Sequence, residues 1–196
     1  MLRVVRGDEL GDASRRGIAV VLVDGFAEDF AYFSSDPEKL VDLFEHMILL
    51  DRFYVVELDG EPAAVASLTT KDQQCFAPRW REFRRHLGPV RGLVAYLVVR
   101  TQFLGTYDGA RRGLAEIGFV ATASAHQGQG LGTVLLTHLL DLPDFREYVV
   151  EDIKDTNAPA LGLYAKLGFT EYTRRTERFA KRAGFSEYVS MKLVQD

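Results

Sequence analysis

The spacing of apolar residues changes several times along the chain, and each change predicts an element. Leu2–Arg6 alternates weakly and predicts a first strand. Residues 12–24 read as a helix closed by Asp24-Gly25. Ser35-Asp36-Pro37 marks a second helix start, with a capping side chain followed by proline at the first helical position. Leu40, Leu43, Phe44, Met47, Ile48 and Leu50 follow at helical spacing. Phe53–Leu58 and residues 63–69 predict two strands joined by Asp59-Gly60, a strong hairpin signal. Residues 71–113 predict two helices split by Gly88-Pro89. The second, 90–104, is apolar around much of its circumference, which predicts burial or cover by a partner. Leu114–Thr122 predicts a strand, 130–142 a helix stopped by Pro143, 148–153 a strand, and 158–167 a helix stopped by Gly168. Residues 169–175 and Glu187–Val194 close the chain as strands. Strands mixed with helices, with one hairpin in the middle and another at the end, predict an α/β fold. Its sheet is mixed, mostly antiparallel and flanked by helices.

Composition narrows the class. A chain of 196 residues, 47% hydrophobic and 27% charged, is expected to form one domain over 1–196, with a helical insertion at about 71–113. The net charge of −4 gives no general attraction to nucleic acid. With Cys75 alone, neither an internal disulfide nor a cysteine-built metal site can form, and no metal is expected. No apolar run approaches the roughly 18 residues that cross a bilayer, and the first residues lack a signal-peptide pattern, so a cytoplasmic location without membrane contact is expected. Charge is unevenly placed. Residues 79–112 hold eight arginines (79, 81, 84, 85, 91, 100, 111 and 112) against Glu82 and Asp108, a balance of +6 within a chain of −4. The segment is either a solvated basic helix face or a surface for an anionic partner.

The most informative stretch runs from Ala115 to Thr133. It reads as a strand, a short loop, glycines at alternate positions (Gly128, Gly130, Gly132) and an amphipathic helix. Successive backbone N–H groups at such a helix start converge where the helix dipole favours negative charge, which suits a pyrophosphate. Gln127 and Gln129 add neutral donors. A P-loop would need lysine before Thr133, where Gly132 stands. A dinucleotide loop would need G-x-G-x-x-G, whereas the spacing here is G-x-G-x-G; Glu151 and Asp152, about 20 residues on, keep that reading open. A glycine-rich turn without ligand is the bland alternative.

At these residues the sequence resembles the GNAT superfamily of N-acetyltransferases. Gln127-Gly128-Gln129-Gly130-Leu131-Gly132 matches every fixed position of the family's Gln/Arg-x-x-Gly-x-Gly/Ala motif. Asn157, Ala160, Leu163 and Tyr164, then Gly168-Phe169, match the second motif, Asn-x-x-Ala-x-x-Leu-Tyr followed by Gly-Phe. The clear resemblance covers 114–170. Ser124 stands where a proline is common, and 71–113 exceeds the usual connection. The resemblance implies the acyl-CoA N-acyltransferase fold, in which the fourth and fifth strands splay apart around the pantetheine arm. It implies acetyl-CoA as co-substrate, bound by Val120, Ala121, Thr122, Gln127, Gly128, Gln129, Gly130, Leu131, Gly132, Thr133 and Asn157.

The same resemblance implies acetyl transfer to a primary amine by direct attack on the thioester. A backbone N–H, that of Val120, would polarise the carbonyl, a contribution of about 3 kcal/mol per donor. An alkyl amine, with a pKa of ~10, is mostly protonated at pH 7, so a base is required. Glu116 is the candidate, as in histone-acetylating members, provided burial raises its pKa; His126 is its rival. A carboxylate merely facing water is the bland reading. Tyr164 is the candidate acid for the departing thiolate, against a core tyrosine. Asn157 can cap its helix and bind pantetheine amides together.

The acceptor is expected from 24–36, 71–113 and the last strand pair. The carboxylates and aromatics of 24–33 suit a cation, although core aromatics at a helix junction give the same composition. A small-molecule or peptide amine is the expected partner, with a homodimer through 90–104 as a further expectation. A non-catalytic acetyl-CoA sensor and a protein-interaction module built on 71–113 are the alternatives.

Overall fold

A computed structural model of the chain describes residues 1–70, 73–104 and 113–195. One seven-stranded sheet runs in the order β1-β2-β3-β4-β5-β7-β6. The strands are β1 (Leu2–Arg6), β2 (Phe53–Leu58), β3 (Glu61–Thr69), β4 (Leu114–Thr122), β5 (Glu147–Lys154), β6 (Thr170–Thr176) and β7 (Glu187–Val194). Every neighbouring pair is antiparallel except β4 and β5, which are parallel. The sheet is therefore mixed and mostly antiparallel. The β2–β3 hairpin closes at Asp59 (φ 54°) and Gly60 (φ 94°), the paired left-handed residues its two-residue turn requires.

Both faces of the sheet are covered, and the central strands alternate between two cores. Val55 and Val65 point to one side, where they meet Ile18 and Leu22 of α1 (Ser14–Gly25) and Leu43 and Phe44 of α3 (Pro37–Glu45). Val56, Ala64 and Ala66 point to the other, against Leu131, Leu135 and Leu139 of α6 (Leu131–Leu140). Between α1 and α3 lies a single short turn of helix, α2 (Ala27–Phe30). Asp36 caps α3 as its sequence predicts, its Oδ1 accepting from the N–H groups of Glu38 (3.1 Å) and Lys39 (3.4 Å).

The segment after β3 carries α4 (Trp80–Leu87) and α5 (Pro89–Val98), split at Gly88 as expected, then a π-helical turn, Val99–Phe103. Phe83, Ala95 and Val99 are buried in the first core. The expected burial of 90–104 holds on that side only. Val90 (75% exposed), Leu93, Val94 and Leu97 face outward, because α5 packs through a single stripe. Arginines 79, 81, 84, 85, 91 and 100 are exposed, as a solvated face requires; Arg111, Arg112 and Asp108 lie outside the described residues. Beyond β5, α7 (Ala158–Lys166) leads to β6, and β6 pairs with β7 as the expected closing hairpin, with a short helix, α8 (Ala180–Ala183), in the connection. Among the described residues no helix is long and apolar enough to cross a membrane.

The end of α1 packs unusually close to the sheet. A Cβ on Gly25 would lie 2.6 Å from Cβ of Ala121, so glycine lets α1 rest directly on β4 and brings the turn after it to the side of that strand.

Candidate active site

The parallel strands β4 and β5 pair only briefly, from Leu114↔Glu147 to Glu116↔Val149. Each then bulges away from the other. Gly118 pairs with Ser67 and Ala121 with Val65, so Phe119 and Val120 together stand opposite Ala66, and Phe119 takes φ 48°. On β5 the register against β7 slips between Val150 and Ile153, and Asp152 takes φ 54°. A left-handed backbone at a non-glycine residue is unfavourable and persists only where its surroundings hold it. The ring of Phe119 is held at 4.9 Å from Phe76, 5.2 Å from Phe103 and 5.9 Å from Phe26.

A cavity of about 850 Å³ occupies the gap. Glu116 to Val120 form one wall and Val150 to Lys154 another. Asp24 to Phe30 and Gln102 with Phe103 cover it, and Asn157, Tyr164 and Tyr188 line it further along.

Glu116 is half-buried within this cavity, opposite Thr69. Burial, reinforced by repulsion from Glu151 and Asp152, pushes its carboxyl up from 4.5 to about 7. Thr69 Oγ1 donates to Glu116 Oε2 at 3.5 Å and opposes the rise only weakly. Tyr164 comes to the same cavity from α7, buried, with its ring 5.5 Å from Phe169. Burial alone raises its phenol far above the ordinary range, and among the described residues its hydroxyl has no hydrogen-bond partner. Asn157 caps α7 by accepting from Ala160 N–H at 3.2 Å, so its oxygen serves the helix, and its nitrogen makes no hydrogen bond among the described residues. His126 ends a 3₁₀ turn, Ser124–His126, and does not line the cavity.

The glycine loop sits further along β4, outside the cavity walls. Gly128 (φ 76°) and Gly130 (φ 78°) are left-handed, and a Cβ on either would meet nothing within 4 Å. The turn therefore needs glycine for its backbone and leaves open space above it. Gly130 caps α6 without a side chain, and Val134 N–H is the first to bond back, to Gly130 O at 3.1 Å. Among the described residues the N–H groups of Leu131, Gly132 and Thr133 have no acceptor. They form a set of converging donors at the positive end of the helix dipole, in a form that fits a diphosphate. The Leu131 side chain is buried in the core, so only its backbone can take part. Gln129 Nε2 reaches back to Ala125 O at 3.5 Å, while Gln127 is exposed. Val120 borders the cavity, and Ala121 and Thr122 connect it to the loop. An extended ligand with a phosphate end and a reactive end fits that path. Ser124 N–H donates to Asp24 Oδ2 at 2.5 Å, tying the loop to α1 through a bond that a proline at 124 could not make.

The expected acceptor segments all reach the cavity, through Asp24 to Phe30, Gln102 and Phe103, and Tyr188. The basic face does not: none of the six described arginines of 79–100 lines it. The wall from β5 is the part that sequence patterning misses. Its one sequence signal is Glu151-Asp152, two acids in the middle of a strand. Among the described residues no cluster of side chains could hold a metal ion.

Comparison with known proteins is consistent with this geometry. The family model described as "Acetyltransferase (GNAT) family" matches residues 20–169. Ribosomal protein bS18-alanine N-acetyltransferases of Salmonella typhimurium and Escherichia coli K12 are each 34% identical over 76 residues, covering 38% of this chain and 51% of theirs. The chain thus spans about half the length of the curated relatives it matches. Among solved structures, the ribosomal-protein-S18-alanine N-acetyltransferase from Escherichia coli superposes at a TM-score of 0.55 with 18% identity, over 100% of this chain and 96% of that one. The yncA protein of Salmonella typhimurium, solved with its cofactor acetyl-CoA, gives 0.57 with 19% identity over 100% and 94%. PH1933 from Pyrococcus horikoshii OT3 gives 0.62 with 14% identity over 100% and 99%. At those identities the likeness is one of fold.

Proposed function

The chain belongs to the acetyltransferase (GNAT) family, and we propose that it moves an acetyl group from acetyl-CoA to a primary amine by direct attack on the thioester. The observation that carries this reading is the cavity between the parted strands. It is bordered by a carboxyl raised to about 7 and by an unpartnered buried phenol, with a loop of free N–H donors further along the same strand. The thioester supplies an activated acyl group; the chain supplies its position and the proton transfers.

Leu131, Gly132 and Thr133 bind the diphosphate through their N–H groups, with Gly128 and Gly130 keeping the approach open and Gln127 and Gln129 flanking it. Val120, Ala121 and Thr122 align the pantetheine arm along β4, and Asn157 Nδ2 reaches it from α7. The bulge frees the backbone around Val120 from strand pairing, and its N–H polarises the thioester carbonyl. Glu116 takes the proton from the amine. A base whose pKa lies near the working pH is half-ionised there and still strong enough to accept a proton. Tyr164, neutral at any ordinary pH, gives its proton to the departing sulfur as the C–S bond breaks, and the second proton lost by the attacking nitrogen restores the phenol.

The test is thiol release from acetyl-CoA across a panel of primary amines, with the acetylated product identified by mass spectrometry. Amine-dependent release with matching product supports the reading. Saturable binding of acetyl-CoA without release, across small amines and free peptide N-termini, refutes it and leaves a sensor.

A further inference from the structure

The lining of the cavity carries more charge than one amine needs. Asp24, Glu28, Asp29, Glu116, Glu151 and Asp152 all border it, against the single ammonium of Lys154. Two of these acids are ion-paired: Asp29 with Lys154 Nζ at 2.7 Å and Asp152 with Arg175 at 3.0 Å. Among the described residues Asp24 accepts only the neutral N–H of Ser124, and Glu151 accepts from the Tyr172 hydroxyl. Glu28 has no cationic partner among the described residues, and neither has Glu116. Four carboxyl groups thus border one cavity, Asp24 and Glu28 at its exposed edge and Glu116 and Glu151 partly buried, without a compensating cation among the described residues. Aromatic surface from Phe26, Phe103, Phe119 and Tyr188 lies among them. The phenol of Tyr164, which has no hydrogen-bond partner among the described residues, opens onto the same cavity from the buried side of α7.

This field is poorly matched to a monoamine. The attacking nitrogen has to lose its positive charge before it reacts, and surrounding carboxylates hold that charge on. A charge that persists through the reaction has to sit elsewhere on the acceptor for the acids to favour the reacting complex. Resting on the acetyl-transfer reading above, we infer that the acceptor is a primary amine bearing a second fixed cation a few bonds from the reacting nitrogen. Glu28, Asp24 and Glu151 hold that second charge. A free diamine and a peptide N-terminus followed by a basic side chain share this chemistry.

The experiment compares three acceptors of four carbons each: 1,4-diaminobutane, n-butylamine and 4-aminobutanoate. A parallel pair of pentapeptides carries lysine or glutamate at the second position. Thiol release reads transfer. Calorimetric titration in the presence of a non-hydrolysable acetyl-CoA analogue reads acceptor binding alone. The diamine is expected to exceed the monoamine by about tenfold in kcat/KM, with the amino acid lowest, and the preference to weaken as salt is added. In Glu28→Gln/Glu151→Gln the ratio of diamine to monoamine should shrink severalfold. The same order within the peptide pair, at higher kcat/KM than the diamine, would assign the second cation to a side chain.

Equal turnover of the three small amines together with equal turnover of the two peptides, or a preference for the anionic acceptor, overturns the inference while leaving acetyl transfer intact. Charge-selective binding with no thiol release overturns acetyl transfer and the inference about its acceptor with it, and leaves only a cation-binding cavity. Neither binding nor release by any acceptor overturns both.

Discussion

Glu116→Gln separates the charge of this carboxyl from its shape, and the structure fixes two consequences. The first is thermodynamic. The folded carboxyl titrates at about 7 against 4.5 in the unfolded chain. Between those values the folded state holds a proton that the unfolded state has released, so stability falls as pH rises through the window. At ~1.4 kcal/mol per pH unit, the loss above pH 7 amounts to roughly 3 kcal/mol as an upper figure. Glutamine carries no ionisation and escapes it. Parent and variant should melt together near pH 4.5, and the variant should melt several degrees higher at pH 8. The second consequence is kinetic. If Glu116 takes the proton, kcat/KM of the parent should climb to about pH 7 and level off. The variant depends on free amine, so its kcat/KM should keep rising about tenfold per pH unit toward the amine's pKa of ~10. A gap of roughly 100-fold at pH 7 should then close by about pH 9. Thiol-release kinetics at saturating acetyl-CoA from pH 6 to 9 read the gap, and scanning calorimetry reads the melting. A gap that stays constant over that range makes Glu116 a positioning residue, and no gap at pH 7 removes it from the chemistry. A melting difference that does not grow between pH 5 and 8 refutes the raised carboxyl itself, whatever the kinetics.

Tyr164→Phe should lower kcat by roughly 10- to 100-fold with little change in KM for acetyl-CoA; an unchanged kcat returns Tyr164 to the core. Acetyl-CoA should raise the melting temperature in proportion to the logarithm of its concentration once above its Kd, and NADH and ATP should not do so comparably. Gly130→Glu should abolish that shift, since it strains a left-handed position and sets a carboxylate beside the free donors of α6; a retained shift would remove the loop from coenzyme binding. Asp36→Ala should cost about 1 kcal/mol in denaturant unfolding without altering kcat/KM, because it removes the cap of α3 and an exposed ion pair with Lys39, and neither residue lines the cavity.

The sequence marks most elements because each carries a local signal. β4 and β7 fall where alternation places them, and Asp36-Pro37 and Asp59-Gly60 set a helix start and a turn through their own chemistry. Glu116 and Tyr164 are marked by motifs, and both line one cavity. The parting of β4 from β5 has no such local signature here. It depends on left-handed backbone at Phe119 and Asp152, positions where neither residue type advertises the conformation. The acidic wall of β5 is hidden for the same reason: a regular alternation would not bring Glu151, Asp152 and Lys154 all to one space, and the bulge does. The outward face of α5 is equally illegible, because apolar composition around a helix does not say which stripe packs.

The bulge at Phe119 also changes what the segment between β3 and β4 is for. Strain at a non-glycine left-handed residue is held by contacts that a straight strand would not make. Two of the three rings around Phe119, those of Phe76 and Phe103, come from that segment, and Phe103 ends its π-helical turn. Phe103 also lies within 6.1–6.5 Å of Phe30, Phe33 and Phe44, and so links the cover supplied by α2 to the core under α3. Gln102 and Phe103 themselves line the cavity. The segment is therefore a wall of the site and a support for its strained strand, rather than an appendage on a finished fold. A module that served only an outside partner through its exposed face would have no reason to send Phe103 into the packing around Phe119.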